Sequence, residues 1–287
     1  MSAAERPTME LMPLLHALVL GIVQGLAEFL PISSSGHLEL VPWLFGWDDF
    51  AGDEELENAF DVALHLGTTI GAVAYLWSDV RRYTVAGFSP LWTREPLGRD
   101  GKIAWFLVAS AVPAAITGVL LEDALLGASD EIWLIAVLLI VFGLILLWAD
   151  RLPGERVQDE FTIRDALLMG AGQAMALLPG VSRSGSTLTV GRVLGFDRTS
   201  GARLAFLMAL PVIFGAGIYR GLDVVSTGIP DELVGGFIVG FIASAVTGWI
   251  AVWGTLKFVR TRSFAPFVGY RVVVGLAVLG LLATNFR

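Results

Sequence analysis

Six apolar stretches decide what this chain can fold into. They run over about 58–77, 103–121, 132–149, 203–221, 233–256 and 266–284. Each approaches the roughly 20 residues that a helix needs to cross a bilayer. None alternates with period two, so helices are favoured over a barrel. Charged residues make up 16% of the chain, against about 25% in a soluble domain. The expected fold class is therefore an all-α integral membrane protein. The chain has no cysteine, which excludes disulfides, thiol catalysis and thiolate metal sites. Its net charge is −8, and acidic loops argue against nucleic acid as a partner. The leading segment does not read as a cleaved signal peptide. It carries Glu5, Arg6 and Glu10 in place of a basic cluster, and its apolar part is interrupted by His16, Gln24 and Glu28.

Two polar, glycine-punctuated stretches stand out from this apolar background. The first runs from Gln24 through Glu28, Pro31, Ser33, Ser34, Ser35 and Gly36 to His37. The second runs from Gln173 through Pro179, Gly180, Ser182, Arg183, Ser184, Gly185 and Ser186 to Thr187. At one offset, Gln24 falls on Gln173, Ser33 on Ser182, Ser35 on Ser184 and Gly36 on Gly185. Two weaker echoes follow: Gly71–Tyr75 with Gly215–Tyr219, and Ala109–Val112 with Ala243–Val246. The chain thus reads as a single membrane domain with repeat halves of about 10–150 and 160–287. In each half a polar broken segment precedes three spanning helices.

Loop charge supplies the topology. Arginine and lysine concentrate in 78–102, 150–164, 196–203 and 257–262, whereas 48–57, 122–131 and 221–232 carry neither. Basic loops stay cytoplasmic, so the latter three face outside. The stretch 165–195 must then enter and leave on one side, as a re-entrant hairpin. If the first motif does the same from the other side, both termini lie outside. Three spanning helices per half give the halves inverted topology, a known transporter architecture with broken helices meeting at the midplane. The expectation is six spanning helices plus two re-entrant helical hairpins. Proline and glycine at 31, 36, 179, 180 and 185 supply the breaks.

Polar and ionisable groups at membrane depth are costly and point to function. Gln24 and Glu28, four apart, share a helix face. Serines ahead of a helix cap it, and the exposed N–H groups favour an anion. Arg183 adds a planar charged fork that suits phosphate. The other half offers a carboxylate, an imidazole and hydroxyls, the parts needed for metal binding, acid–base work or a nucleophile. Plainer roles fit some of these residues. Ser33, Ser34 and Ser35 could be caps only, Glu28 and Arg183 a structural ion pair, and His16 and His37 interfacial. His65 reads as a helix-packing residue more than a site residue. Gln173, whose acidic partner is replaced by Leu177, reads as packing or hydrogen bonding. Trp43, Trp47, Trp77, Trp92 and Trp133 fit an aromatic belt.

Both motifs, in this order and at this spacing, resemble the BacA/UppP family of undecaprenyl-diphosphate phosphatases. The first family motif corresponds to Gln24–Glu28 running on to His37, and the second to Pro179–Thr187. The segment Phe60–Gly67 also looks like the family, and the resemblance covers nearly the whole chain. It implies a multi-pass enzyme of the cell membrane. Such an enzyme removes the terminal phosphate of a polyprenyl diphosphate lipid, recycles the carrier for cell-wall synthesis and confers bacitracin resistance. It also implies dependence on a divalent cation. Carried over by motif position, Glu28 serves metal or proton transfer and Arg183 holds the diphosphate. Ser34 and His37 are the alternative nucleophiles. Ser33, Ser35, Ser182, Ser184 and Thr187 would bind phosphate oxygens, with Gln24 beside them. Gln24 stands where the family also allows a carboxylate, so the metal falls to Glu28 and the substrate's phosphates, which suits Mg²⁺ or Ca²⁺.

A transporter or flippase of polyprenyl phosphate could use the same inverted-repeat site, but would need no nucleophile and release no orthophosphate. The unrelated PAP2-type lipid phosphatases do not fit, because no histidine follows residue 65. Gly235, Gly236 and Gly240 suit close helix contacts within or between subunits, which leaves a homodimer open.

Overall fold

Large apolar side chains face outward in this protein. Leu91, Val119 and Val273 are all well exposed, while Gln24, Ser33, Thr68 and Arg271 are buried. Water would penalise so much exposed apolar surface, whereas lipid accepts it and demands that backbone polar groups be satisfied inside helices. The computed structural model describes residues 12–50, 52–121, 131–284 and 286, with residues 219–227 as backbone only. Glu5, Arg6, Glu10, loop 122–131 apart from Glu131, and the side chain of Tyr219 therefore lie outside the described residues. So do the side chains of 221–227 in the expected 221–232 loop.

The first half comprises α1 (Leu14–Phe29), α2 (Ser34–Phe45), α3 (Glu54–Tyr75), α4 (Trp77–Phe88), the single turn α5 (Pro90–Thr93), α6 (Arg99–Ala109), α7 (Val112–Leu120) and α8 (Ile132–Asp150). After a 3₁₀ turn come α9 (Ile163–Met175), α10 (Arg183–Val193), α11 (Arg198–Thr227), α12 (Asp231–Val259) and α13 (Ala265–Ala283). Among the described residues there is no strand beyond one isolated bridge between Arg156 and Phe196. Five stretches are long and apolar enough to cross a membrane: Arg99–Leu120, Ile132–Asp150, Arg198–Ile218, Asp231–Val259 and Ala265–Ala283. The sixth expected span, 58–77, is α3, which bends by 86° into the helical run that ends at Thr93.

Local sequence explains the helix starts. Asp53 caps α3 by accepting from the N–H groups of Glu55 and Leu56, and Glu54, Glu55 and Glu57 place negative charge at the positive end of the helix. Thr162 and Asp165 form a reciprocal capping box on α9. Helix packing then depends on small residues. Gly21 and Gly25 on α1, and Gly67 and Gly71 on α3, lie so close to the backbone of α12 that a Cβ would not fit. This four-residue glycine spacing is a membrane helix-contact device. Gly236 and Gly240 face Met12, Ala17, Phe60 and Leu64, so they serve contacts inside the subunit.

The basic connections are tied together at one end of the molecule. Asp150 accepts from Arg198 Nε at 2.6 Å and from the N–H of Phe264 at 3.0 Å. Arg203 pairs with Asp79, and Arg82 with Asp100. Arg156 bonds Asp165 at the start of α9 (3.0 and 2.6 Å) and the carbonyl of Leu194 just after α10 (2.9 Å). One guanidinium thus joins the beginning and end of this helix pair. At the opposite end, Met12, Phe50, Leu56 and Leu233 share a small core. There His16, near the start of α1, stacks on Trp47 and bonds Asp49 at 2.8 Å, just after α2.

The echo between 109–112 and 243–246 has a structural counterpart. Ser110 and Ser244 each donate to the carbonyl three residues earlier, at 2.6 and 3.0 Å. Gly170 of α9 sits against the Ser110 carbonyl, and Gly25 of α1 against that of Ser244. The first helix of each broken segment therefore packs on the matching segment of the other half. Gly71 and Gly215 do not match in this way. Gly71 is wedged against α12, and a Cβ at Gly215 would meet nothing within 4 Å.

Candidate active site

The two breaks have the same backbone. Ser33 and Ser182 both take positive φ, 78° and 75°, a region that ordinary residues avoid. Each caps the helix that follows: Ser33 Oγ accepts from the N–H of Gly36 (3.4 Å) and Ser182 Oγ from that of Gly185 (3.1 Å). Such backbone costs about 1–3 kcal/mol per residue and persists where surrounding structure enforces it. Here the two tips enforce each other. Gly180 N–H donates to Ser33 Oγ at 3.1 Å, and Ser184 Oγ donates to the Leu30 carbonyl at 3.0 Å.

Glu28 lies in the last turn of α1 and is almost wholly buried. Its Oε2 accepts from Gln24 Nε2 at 2.9 Å and from Ser34 Oγ at 2.6 Å. Its Oε1 is paired with Arg183 Nη2, from the first turn of α10 in the other half. His65 on α3 donates from Nδ1 to the Asp61 carbonyl at 2.8 Å, which leaves Nε2 3.5 Å from Glu28 Oε2. Four elements thus converge on one carboxylate.

A cavity of about 300 Å³ opens beside this cluster. Ser34, Ser35, Ser182 and Arg183 of the tips line one side. Asn58, Asp61 and His65, on one face of α3, line another, with Gln173 of α9, Leu177 just beyond its end, and Ala216 and Gly217 of α11. The lining combines a cation, hydroxyls and a helix N-terminus, which suits a phosphate, with apolar wall on either side.

The model of the family described as "Bacitracin resistance protein BacA" matches residues 17–277. A protein of Pelotomaculum thermopropionicum named undecaprenyl-diphosphatase is 45% identical, over 96% of this chain and 98% of that protein. Proteins of the same name from Nocardioides sp. and Moorella thermoacetica are 44% and 40% identical, each over 94% of this chain and 97% and 98% of their own length. The chain belongs to the BacA family.

Within this BacA protein the predicted site residues divide into two groups. Ser34, Ser35, Ser182 and Arg183 line the cavity, with Glu28 directly behind Ser34. The other hydroxyls hold the tips together or serve their own helix. Ser33 and Ser184 bridge the two breaks. Thr187, fully buried, donates to the Arg183 carbonyl at 2.8 Å. Gln24 is a neighbour of Glu28, not of the cavity. His37 is also outside the lining. Its Nδ1 donates to the Ser33 carbonyl (2.7 Å), and Nε2 accepts from the Tyr270 hydroxyl (2.8 Å).

Sequence reasoning missed three contributors. His65, whose apolar sequence surroundings favour packing over a site role, approaches Glu28 and lines the cavity. Tyr270 and Arg271 went unnoticed within the run 266–284. Arg271 is completely buried. Its Nη2 donates to the carbonyls of Gly180 (2.8 Å) and Val181 (3.1 Å), Nη1 to that of Pro31 (3.4 Å), and Nε to that of Leu139 (2.9 Å). One side chain from α13 therefore holds both breaks. A charge inside a spanning segment was the available signal.

Proposed function

We propose that this chain hydrolyses the terminal phosphate of undecaprenyl diphosphate, giving undecaprenyl phosphate and orthophosphate and returning the lipid carrier to cell-wall synthesis. The observation that carries the reading is the Ser34–Glu28–Arg183 arrangement: a hydroxyl on a cavity wall, hydrogen-bonded to a buried carboxylate that shares its charge with a phosphate-binding fork. The shared name of the full-length relatives supplies the substrate.

In this mechanism Arg183 turns from Glu28 to the terminal phosphate, and the α10 N–H groups face the same oxygens. Neutralising that charge is the main catalytic task in phosphoryl transfer. Ser34 is the nucleophile favoured over His37, because both ring nitrogens of His37 are engaged away from the cavity. Glu28 takes the Ser34 proton as the Oγ–P bond forms and the bridging P–O bond to undecaprenyl phosphate breaks. Water then hydrolyses the phosphoserine, releasing orthophosphate and restoring the hydroxyl.

A divalent cation, Mg²⁺ or Ca²⁺, belongs to this proposal. Among the described residues no three His, Cys, Asp or Glu side chains are grouped to hold a metal by themselves. The donor set fits a cation that takes one or two carboxylates, Glu28 or Asp61, and borrows phosphate oxygens. When bound it would supply further positive charge to the phosphoryl oxygens.

The two helix–break–helix segments are proposed to be re-entrant hairpins in an inverted repeat. The arginine-rich end is then cytoplasmic, both termini are outside, and the protein sits in the cell membrane. The cavity draws on the first half of α3, which starts at the acidic end, and so would open outward. The test is orthophosphate release from undecaprenyl diphosphate by purified protein, with and without EDTA, beside Arg183→Ala. Metal-dependent release that the variant lacks supports the enzyme. A folded wild type that binds the lipid and releases nothing would favour a flippase.

A further inference from the structure

Gln173 in the second half occupies the position that Gln24 occupies in the first. Gln24 gives its amide N–H to Glu28, four residues on. Four residues after Gln173 stands Leu177, so the second amide has no carboxylate to serve. The sequence expectation of a packing or hydrogen-bonding role is only half met. Gln173 is 2% exposed, yet neither its Nε2 nor its Oε1 has a hydrogen-bond partner among the described residues. Buried polar groups are almost always paired, and each exception needs an explanation. An apolar side chain of the same shape would cost the free protein less than this amide does.

The place of the side chain supplies the explanation. Gln173 lines the cavity that Ser34, Ser182 and Arg183 also line. We infer that Gln173 is a substrate-binding residue whose Nε2 donates to a non-bridging oxygen of the diphosphate held beside Arg183. Diphosphate oxygens are acceptors and match an amide N–H, while Oε1 can accept from water hydrating the phosphate. A carboxylate four residues on would repel the same ligand, so Leu177 is the compatible residue there. The halves have then diverged in chemistry: the first keeps the carboxylate, and the second keeps the anion-binding amide and guanidinium.

The inference takes the identity of its ligand from the phosphatase reading, and its test is separable from that reading. Inorganic pyrophosphate serves as the probe, read by its effect on the melting temperature of purified wild type and Gln173→Leu. A hydrogen bond to a charged group corresponds to a loss of about tenfold to hundredfold in affinity. Gln173→Leu should need that much more pyrophosphate for the same stabilisation. Its KM for undecaprenyl diphosphate should rise by a similar factor, with kcat within about threefold. Without ligand it should melt at or above the wild-type temperature, as removal of a bare buried amide requires. Gln173→Glu should bind more weakly still. A wild-type response to pyrophosphate in Gln173→Leu, a lower melting temperature of the free variant, or a wild type insensitive to pyrophosphate would each overturn the inference. Absence of phosphate release by the wild type would sink the phosphatase reading and leave the pyrophosphate comparison standing.

Discussion

Glu28 and Arg183 lie 155 residues apart in the chain and meet as an ion pair across the two broken segments, the carboxylate 1% exposed and the guanidinium 20%. The asymmetry has a mechanical meaning. Glu28 is held on its other oxygen by Gln24 and Ser34. Arg183 is paired through Nη2 alone and borders the cavity, so in the proposed mechanism it is the partner that exchanges the carboxylate for a phosphate. The resting pair thus satisfies a buried charge until an anionic ligand competes for its partner.

Breaking such a pair from one side strands a buried charge, at a cost of about 3–5 kcal/mol, whereas removing both partners leaves none. Arg183→Ala should therefore lower thermal stability as well as turnover. The Glu28→Gln/Arg183→Ala double variant should recover most of the stability and none of the turnover. An arginine acting on a transferring phosphoryl group is worth about 10³-fold or more in kcat. Melting curves and phosphate release measured on the same preparations separate the two effects. A double variant as unstable as Arg183→Ala would show that Glu28 is not the stranded charge.

The surroundings of Ser34 and His37 separate their roles. Ser34→Ala should lose turnover by about 10³-fold or more, and its melting temperature should fall modestly as well, because the buried Glu28 carboxylate loses one of its hydrogen bonds. His37→Gln should lower turnover by about tenfold or less through the loosened Ser33 carbonyl. Its effect should be non-additive with that of Tyr270→Phe, because the two side chains share one hydrogen bond. Phosphate release by the two singles and the double decides it. A loss in His37→Gln as large as that in Ser34→Ala would return His37 to the nucleophile role.

Arg271 makes a separate prediction, about the scaffold. Its guanidinium satisfies carbonyls in Pro31, Leu139, Gly180 and Val181, and Gly143 and Gly185 leave room for it. Each buried carbonyl left bare costs about 1–3 kcal/mol. Arg271→Met should therefore be among the most destabilising single changes in the chain. Arg271→Lys, which keeps the charge but loses the planar fork, should fall between it and the wild type. Unfolding in detergent measures the order. A fully stable Arg271→Met would mean that the tips hold each other without α13.

Much of this was legible because it is local or repeated. Apolar runs mark the spanning helices, and proline, glycine and serine mark the breaks. The shared offset between Ser33 and Ser182 corresponds to a shared backbone conformation. What was not legible depends on contacts between distant segments. Arg271 is one charge in an apolar run, and nothing near it in sequence shows that 240 residues away Pro31 offers a carbonyl. His65 looks like a packing residue because its partner, Glu28, lies on another helix. The bend at the end of α3 was hidden because Trp77 extends the apolar run beyond Tyr75, where the helix turns. Among the serines, type and spacing alone do not separate those that face the cavity from those that bridge the tips.

The proposed topology can be tested without background, because the chain has no cysteine. Single cysteines at Asp48, in the acidic connection after α2, and at Arg262, in the basic connection before α13, lie at opposite ends of the molecule. The charge rule places the second inside. In intact cells a membrane-impermeant thiol reagent should label Asp48→Cys and spare Arg262→Cys until the membrane is opened. Two further sites read the hairpin directly. Glu155→Cys, before α9, and Thr199→Cys, after α10, should both behave like Arg262→Cys, since Arg156 ties the ends of this pair together. If these two sites label from opposite sides, α9 and α10 form a complete crossing and the inverted-repeat proposal fails. If both are protected until permeabilisation, the break at Ser182 lies at depth, reached from the cytoplasmic side. It would then meet the break at Ser33, reached from outside, as the hydrogen bond from Gly180 to Ser33 requires.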